Sequence, residues 1–168
     1  MPVLRRQEFP RFSRLSWLMG LYGENYERVS RLFDLPSLEQ GDYLSRCVNG
    51  LDLVVEVLEV HPYTLELRLS YRMNDPVTGQ PDPSAYVRVY RDARQAEVTH
   101  CYIGRHWQDA LGLAPSPKVV FGHRLRMNSF LSKWLEYLSS QGHGPHTLDE
   151  LLFIDGDELR HVGNRILG

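Results

Sequence analysis

The sequence predicts an α+β fold in which N- and C-terminal helices pack on one face of a five-stranded antiparallel meander sheet. Apolar residues recur every three or four positions over residues 12–33 and 124–140, which is typical of amphipathic helices. From Asp42 onward the period changes to two, which is typical of half-buried strands. Each pattern gives its helix or strand one apolar side. Helices that pack on one face of the sheet bury their own apolar sides and those of the strands together.

The N-terminal helix is predicted over residues 12–33, where Ser13 is placed to cap it. Pro36 ends the segment, because proline cannot continue a helix. Gly20 and Gly23 lower the helix propensity of the middle. The sequence therefore leaves two alternatives: one long helix, or two shorter helices that meet near Gly23.

Two hairpins are predicted to open the sheet. Asn49-Gly50 favours a two-residue type I′ turn, which pairs residues 43–48 with a strand that begins at Leu51. The next connection is residues 61–63, where a three-residue loop places apolar residues opposite apolar ones and charges opposite charges. The predicted partners are Val57 and Leu67, Val55 and Leu69, Leu53 and Tyr71, Glu56 and Arg68, and Asp52 and Arg72.

The second half of the sheet follows a predicted surface loop over residues 73–83, which is rich in Pro, Asp and Gly. Residues 87–98 then form a hairpin that turns around Asp92-Ala93. The predicted partners are Val89 and Ala96, Val87 and Val98, and, on the opposite face, Arg88 and Glu97.

The C-terminal third is predicted to be irregular over residues 104–122, apart from at most a short turn around residues 107–111, and helical from Arg124 to Ser140. Residues 142–145, Gly-His-Gly-Pro, are typical of a hinge. The capping box of residues 147–150 predicts a short helix after it. We therefore expect one domain over residues 1–142 and a C-terminal extension over residues 143–168.

Composition and motifs argue against several classes of function. A net charge of −2 does not favour a dominant polyanion-binding role. No apolar run reaches the length of a membrane span, so we expect a cytoplasmic protein. The seven histidines lack metal-ligand spacing and no glycine-rich phosphate loop occurs, so neither a metal nor a cofactor is expected. Cys101, near His100 and His106, is a weak nucleophile candidate, and a buried strand cysteine is the favoured interpretation.

Part of the chain resembles the YqiB-like family of bacterial proteins, a domain of unknown function. The resemblance covers about residues 9–142 and is carried by the segments 87–90, 92–93 and 96–98, together with residues of the second helix. Those helix residues are Asn128, Phe130, Leu131, Trp134, Leu135 and Tyr137. The resemblance implies no activity, ligand or catalytic residue.

The sheet face that points away from the helices is the leading candidate site. It is either a solvated surface whose ion pairs each contribute about 0–1 kcal/mol, or a binding surface in which guanidinium and phenol groups contact a partner. The candidate binding residues are Arg68, Arg72, Tyr86, Arg88, Tyr90 and Glu97.

The leading functional hypothesis is a non-enzymatic binding or regulatory module that holds an unknown protein or a small anionic ligand. One alternative is a small-molecule enzyme with Asp75, His106 and Trp107 between the loops 73–83 and 104–122, since long loops often carry function. Another is a single-stranded nucleic-acid binder that uses the aromatic sheet face and scattered arginines. Oligomeric state does not follow from the sequence.

Overall fold

A computed structural model describes residues 13–73, 76–79, 81, 83–102, 116–154 and 158–161. It contains two long helices, a sheet and two short 3₁₀ turns, the latter at Leu35–Ser37 and Pro145–Thr147. The helices are α1, Arg14–Leu32, and α2, Pro117–Ser140. The strands are β1, Gly41–Ser45; β2, Leu53–Val60; β3, Thr64–Tyr71; β4, Ser84–Tyr90; β5, Gln95–Tyr102; β6, Leu148–Ile154; and β7, Glu158–His161.

The strands form one antiparallel sheet in the order β5-β4-β3-β2-β1-β6-β7. The α+β class and the antiparallel meander are confirmed for β1 to β5. The predicted number of five strands is wrong, because β6 pairs with the open side of β1 and β7 continues from it. The predicted helix after residues 147–150 is accordingly a strand.

Helix α1 is continuous, which decides between the two alternatives for this segment. Ser13 caps it as predicted, with Oγ accepting a hydrogen bond from the Ser16 N–H at 3.2 Å. The two glycines cost about 1 kcal/mol each in helix propensity. Packing offsets that cost, because six residues of α1 are buried at helical spacing: Leu18, Leu21, Tyr22, Asn25, Val29 and Leu32.

Helix α2 begins seven residues before the predicted start at Arg124, so the irregular region ends earlier than residue 122. Ser116 caps the helix by accepting a hydrogen bond from the Val119 N–H, and Pro117 occupies the first turn. Proline is favoured there, since the first N–H groups of a helix have no intrahelical partner. The cap and the proline together explain a start that apolar periodicity alone does not indicate.

The registers of two predicted hairpins are confirmed. Strands β2 and β3 are joined by the three residues 61–63, and Val55 pairs with Leu69 as predicted. Strands β4 and β5 place Val89 opposite Ala96 and turn through residues 91–94, where Arg94 has a φ of 52°. Short loops and strong apolar alternation made these registers readable from sequence.

The predicted type I′ turn at Asn49-Gly50 is wrong. Strand β1 ends at Ser45, which pairs with Leu53, so seven residues connect the two strands. Neither Asn49 nor Gly50 has the positive φ that this turn requires. Gly50 instead allows a close approach, because a Cβ there would lie 2.7 Å from Cys47 Sγ. Tertiary packing therefore decides the shape of this loop.

The core lies between the helices and alternate residues of the strands. The odd-numbered residues from Leu53 to Val57 of β2 and from Leu65 to Tyr71 of β3 are buried, as predicted, whereas Glu59 near the end of β2 is exposed. Trp134 of α2 joins the helix layer to the sheet by donating from Nε1 to the Tyr71 hydroxyl at 2.9 Å. Large core side chains that are at most 1% exposed include Val29, Leu32, Phe33, Leu53, Val55, Leu65, Leu67, Leu69, Val89, Leu131, Leu135 and Leu138.

Asn128 of α2 supplies a hydrogen-bond acceptor to the free edge of β5, which is an edge strand of the sheet. Its Oδ1 accepts a hydrogen bond from the Val98 N–H at 3.0 Å, and its Nδ2 donates to the Arg124 carbonyl at 2.9 Å. Its own carbonyl accepts from Asn25 Nδ2 at 3.4 Å. Asn128 is fully buried, and its backbone carbonyl and side-chain amide together link α1, α2 and the edge of β5 at Val98.

We predict that Asn128→Ala lowers the free energy of unfolding by about 1–3 kcal/mol, because it leaves the buried Val98 N–H without an acceptor. Urea denaturation measures this difference. Lys133→Ala, an exposed substitution on the same helix, is the matched control and should stay within about 0.5 kcal/mol of wild type. Equal stability of the two variants would contradict the role of Asn128.

Candidate functional site

The outer face is the side of β2 to β5 opposite the buried core residues. It brings together four of the six candidate residues, Arg68, Tyr86, Arg88 and Tyr90, on the neighbouring strands β3 and β4. Arg68 and Tyr86 are register partners, and the Arg68 guanidinium lies 5.8 Å from the centre of the Tyr86 ring. Arg88 lies two residues from Tyr86 on β4 and faces Glu66. These side chains form one continuous group.

Two β-bulges interrupt the outer face. Leu58 is the extra residue of β2, because Val57 pairs with Leu67 while Glu59 pairs with Glu66. Thr99 is the extra residue of β5, because Val98 pairs with Val87 while His100 pairs with Tyr86. Both bulges adjoin the same transverse row of the sheet, composed of Val57, Leu67, Val87 and Val98. A bulge bends its strand and increases the local twist, so the sheet curves along this row.

A pocket of about 500 Å³ lies where the two bulges bend the sheet. Both bulge residues line it, together with the aromatic rings of Tyr86 and His100, which meet edge to face with their centres 5.8 Å apart. Arg88 and Glu66 supply its charged groups. The volume suits a drug-sized molecule or one large side chain of a partner.

The arginines of the outer face are already paired with carboxylates. Arg88 holds Glu66 Oε1 through Nη2 at 2.6 Å and Nε at 2.8 Å. The hydrogen bond to Glu66 raises the pKa of Arg88 above its ordinary value. Arg68 Nη1 lies 2.9 Å from Glu56 Oε2, although that oxygen has no well-aligned hydrogen bond. The face therefore presents neutralised pairs to a ligand.

The other two candidate residues, Arg72 and Glu97, are placed differently. Arg72 follows the end of β3 and lies 4.0 Å from Asp52, four residues along the chain from Arg68. Glu97 is the register partner of Arg88, but it accepts a hydrogen bond from the Tyr90 hydroxyl at 2.7 Å instead. Burial, and then this bond to Glu97, raise the pKa of Tyr90.

Glu97 also connects the edge of the sheet to the helices. Its Oε2 lies 3.9 Å from Arg124 of α2. Burial first, and the charge of Glu97 second, raise the pKa of Tyr22 on α1. These contacts are structural, whereas Tyr86 and Arg88 face the pocket.

Sequence reasoning missed Glu66, Leu58, Thr99 and His100 as parts of the pocket. Glu66 had a readable signal, since it lies two residues before Arg68 and shares its side of β3. The bulges had no readable sequence signal, because a bulge breaks the alternation of apolar and polar residues from which a register is inferred. The loop site of Asp75, His106 and Trp107 lies outside the described residues, and Cys101 is a buried strand residue, as favoured.

A second cluster, also missed, surrounds His143 after α2. The predicted hinge at residues 142–145 is instead anchored, because the His143 side chain is buried and bonded on both nitrogens. Nδ1 lies 2.6 Å from Ser45 Oγ, while Nε2 lies 3.0 Å from the Leu51 carbonyl oxygen and 3.3 Å from Cys47 Sγ. Ser45 Oγ continues to Thr147 Oγ1 at 2.7 Å. The imidazole thus joins the segment after α2 to the end of β1 and to the connection between β1 and β2.

Residues 28–144 match the family model described as Protein of unknown function (DUF1249), and the fold and site define an α+β domain with a pocket on its sheet. The match spans more than half of the 168 residues, so the chain belongs to this uncharacterised family. No match to the chain was found among curated proteins or among solved structures.

The described part of the chain contains neither a membrane-spanning helix nor a cluster of metal ligands. Neither α1 nor α2 combines the length and apolar character that crossing a bilayer requires. Among the described side chains, no group of three or more His, Cys, Asp or Glu residues is arranged to hold a metal ion.

A double-mutant cycle tests whether the Arg88–Glu66 pair is structural. With side chains 43% and 30% exposed, we expect a coupling of about 0.2–1 kcal/mol in the free energy of unfolding. The Arg68–Glu56 pair, with side chains 23% and 26% exposed, should couple more strongly and is the matched comparison. If the coupling of Arg88 and Glu66 exceeds that of Arg68 and Glu56, the Arg88–Glu66 pair stabilises the fold and does not serve binding.

We predict that the stability of the protein falls as the pH drops below about 6.5. Burial lowers the pKa of His143 below its ordinary 6.5, against opposing effects of the Leu51 carbonyl and Asp52. The unfolded state therefore binds more protons in this range, and the free energy of unfolding rises with pH. Burial lowers the pKa of His123 as well, which likewise makes the free energy of unfolding rise with pH.

Urea denaturation between pH 7.5 and about pH 5 measures this dependence. The variant His143→Gln retains hydrogen-bonding groups and does not titrate, so its stability should depend less on pH than that of wild type. An unchanged pH dependence in His143→Gln would show that His143 contributes nothing to it.

Proposed function

We propose that this protein is a non-enzymatic binding module that holds a segment of a partner protein on its outer sheet face. The observation that carries the proposal is the convergence of two bulges on one row of the sheet, which creates a pocket at the Arg/Tyr cluster. Bulges are over-represented next to functional sites, where they redirect side chains.

The lining of the pocket favours a ligand with an apolar or aromatic anchor. Leu58, Tyr86 and His100 offer flat and aliphatic surface, and Tyr86 is 37% exposed. Buried aromatic anchors supply much of the energy of protein interfaces. The Arg88–Glu66 pair at the rim can donate to and accept from a peptide backbone, which suits an extended segment better than an anion alone.

The pairing of the arginines argues against a simple anion or phosphate site. Arg68, Arg72 and Arg88 each have a carboxylate within 4.0 Å, and an entering anion would have to displace it or face its charge. Small anions and single-stranded nucleic acid are for this reason less well supported as ligands. The loop-based enzyme site remains a prediction.

We also propose that the protein is cytoplasmic, bacterial and YqiB-like within its family. The support is the sequence of the β4–β5 hairpin and of α2, which resembles those proteins. Cys47 and Cys101 are not joined in a disulfide, which is consistent with a reducing compartment.

Selection from a random-peptide display library tests the proposed function directly. We expect enriched peptides to share an aromatic or aliphatic anchor, and the variant Tyr86→Ala to weaken their binding by about tenfold or more. Fluorescence anisotropy of labelled peptides measures the affinity. The matched control is Tyr63→Ala, an exposed tyrosine in the β2–β3 loop that does not line the pocket.

Further substitutions separate the pocket from the rest of the face. Arg88→Ala should reduce peptide binding, whereas Arg72→Ala should not, because Arg72 lies beyond the end of β3. A steep fall of affinity with salt would indicate phosphate-like electrostatic recognition instead. Peptides whose binding survives both Tyr86→Ala and Arg88→Ala would refute the proposed site.

A further inference from the structure

The Cys47–His143 cluster lies apart from the outer face, at the end of the sheet where β1 passes into β2. Cys47 belongs to the connection between these strands, and His143 follows α2. The Cys47 side chain is partly exposed, whereas His143 is 5% exposed. The thiol is thus accessible while the imidazole that contacts it is fixed.

The hydrogen-bond partners of His143 determine what it offers to the sulfur. The Leu51 carbonyl can only accept, so the contact at 3.0 Å is a hydrogen bond only when Nε2 carries the hydrogen. The single N–H of Nε2 is therefore shared between the Leu51 carbonyl and Cys47 Sγ, which lies 3.3 Å from Nε2. In this arrangement the sulfur accepts, and a thiolate accepts better than a thiol.

The hydroxyl groups of Ser45 and Thr147 allow His143 to be neutral or charged. With neutral His143, Ser45 donates to Nδ1 and Thr147 donates to Ser45. With charged His143, both bonds reverse and Thr147 donates to the Gly144 carbonyl, 2.9 Å away. Both directions of this hydrogen-bond chain satisfy the two hydroxyl groups, and Nε2 carries its hydrogen in either state of His143.

The surroundings of the sulfur are tight at Gly50 and open at a neighbouring pocket. At Gly50 a Cβ would lie 2.7 Å from Cys47 Sγ. The open pocket, of about 510 Å³, borders Cys47. Arg46, Asn49 and Gln141 line this pocket and supply polar hydrogens around it. An oxygen atom added to the sulfur can be accommodated there.

We propose that Cys47 is a reactive thiol site that takes peroxides as its substrate class, with His143 as its positioning residue. The thiolate sulfur attacks one peroxide oxygen, an S–O bond forms and the O–O bond breaks. With hydrogen peroxide, sulfur is oxidised by two electrons to sulfenic acid and the peroxide is reduced to water. The departing hydroxide takes its proton from solvent. The donor N–H favours this step because the thiolate is the nucleophile.

Cys101 provides an internal control in the same molecule, since it is 1% exposed on β5. The full-length protein at neutral pH is treated with hydrogen peroxide, labelled with dimedone and mapped by peptide mass spectrometry. We expect dimedone on Cys47 and not on Cys101. Labelling of Cys101 as fast as Cys47 would overturn the proposal.

The rate of sulfenic acid formation tests the role of His143. Folded wild type should react at Cys47 at least about tenfold faster than the same protein unfolded in urea, where the His143 donor is removed. His143→Phe keeps the ring volume without the donor and should react at a rate close to the unfolded one. Equal rates for folded and unfolded wild type would overturn the proposal without any variant.

Discussion

Side chains alternate between the two faces of β2 to β5, and this alternation governs what the rest of the molecule can contact. The inward rows are apolar, so α1 and α2 bury them in one core. The outward rows carry charged and phenolic groups that pair across neighbouring strands. Leu58 and Thr99 are the two bulge residues of these strands, and the pocket forms beside them. A slip of one residue in any of these strands would exchange the two faces.

The parts of the fold that were predictable are those decided by local sequence. The β2–β3 and β4–β5 hairpins have short loops and one register that matches apolar with apolar residues. The connection at Asn49-Gly50 was predicted wrongly because residues distant in sequence decide it: Gln141 lies against Gly50, and His143 holds the Leu51 carbonyl. Likewise, Thr147 satisfies Gly144 and Ser45 instead of capping a helix, and β6 pairs with β1.

The candidate site was predictable as a face but not as a pocket. Strand parity placed Arg68, Tyr86 and Arg88 on one side, as the structure has them. The loop of residues 73–83 hid the register between β3 and β4, so Glu66 was not recognised as the partner of Arg88. Ion pairing then changes the expected chemistry, because a guanidinium held by two hydrogen bonds to a carboxylate attracts an anion weakly.

The two sites can act separately because β2 lies between them. The Cys47–His143 cluster adjoins the start of β2 through Leu51, and the pocket adjoins Leu58 near its end. Seven residues of extended chain correspond to about 20 Å, and the intervening residues Leu53, Val55 and Val57 are buried in the core. Oxidation of Cys47 could alter the pocket only by shifting this strand, which its packing on both neighbours resists. Loss of peptide binding at Tyr86 and loss of peroxide reactivity at Cys47 are thus independent observations about one sheet.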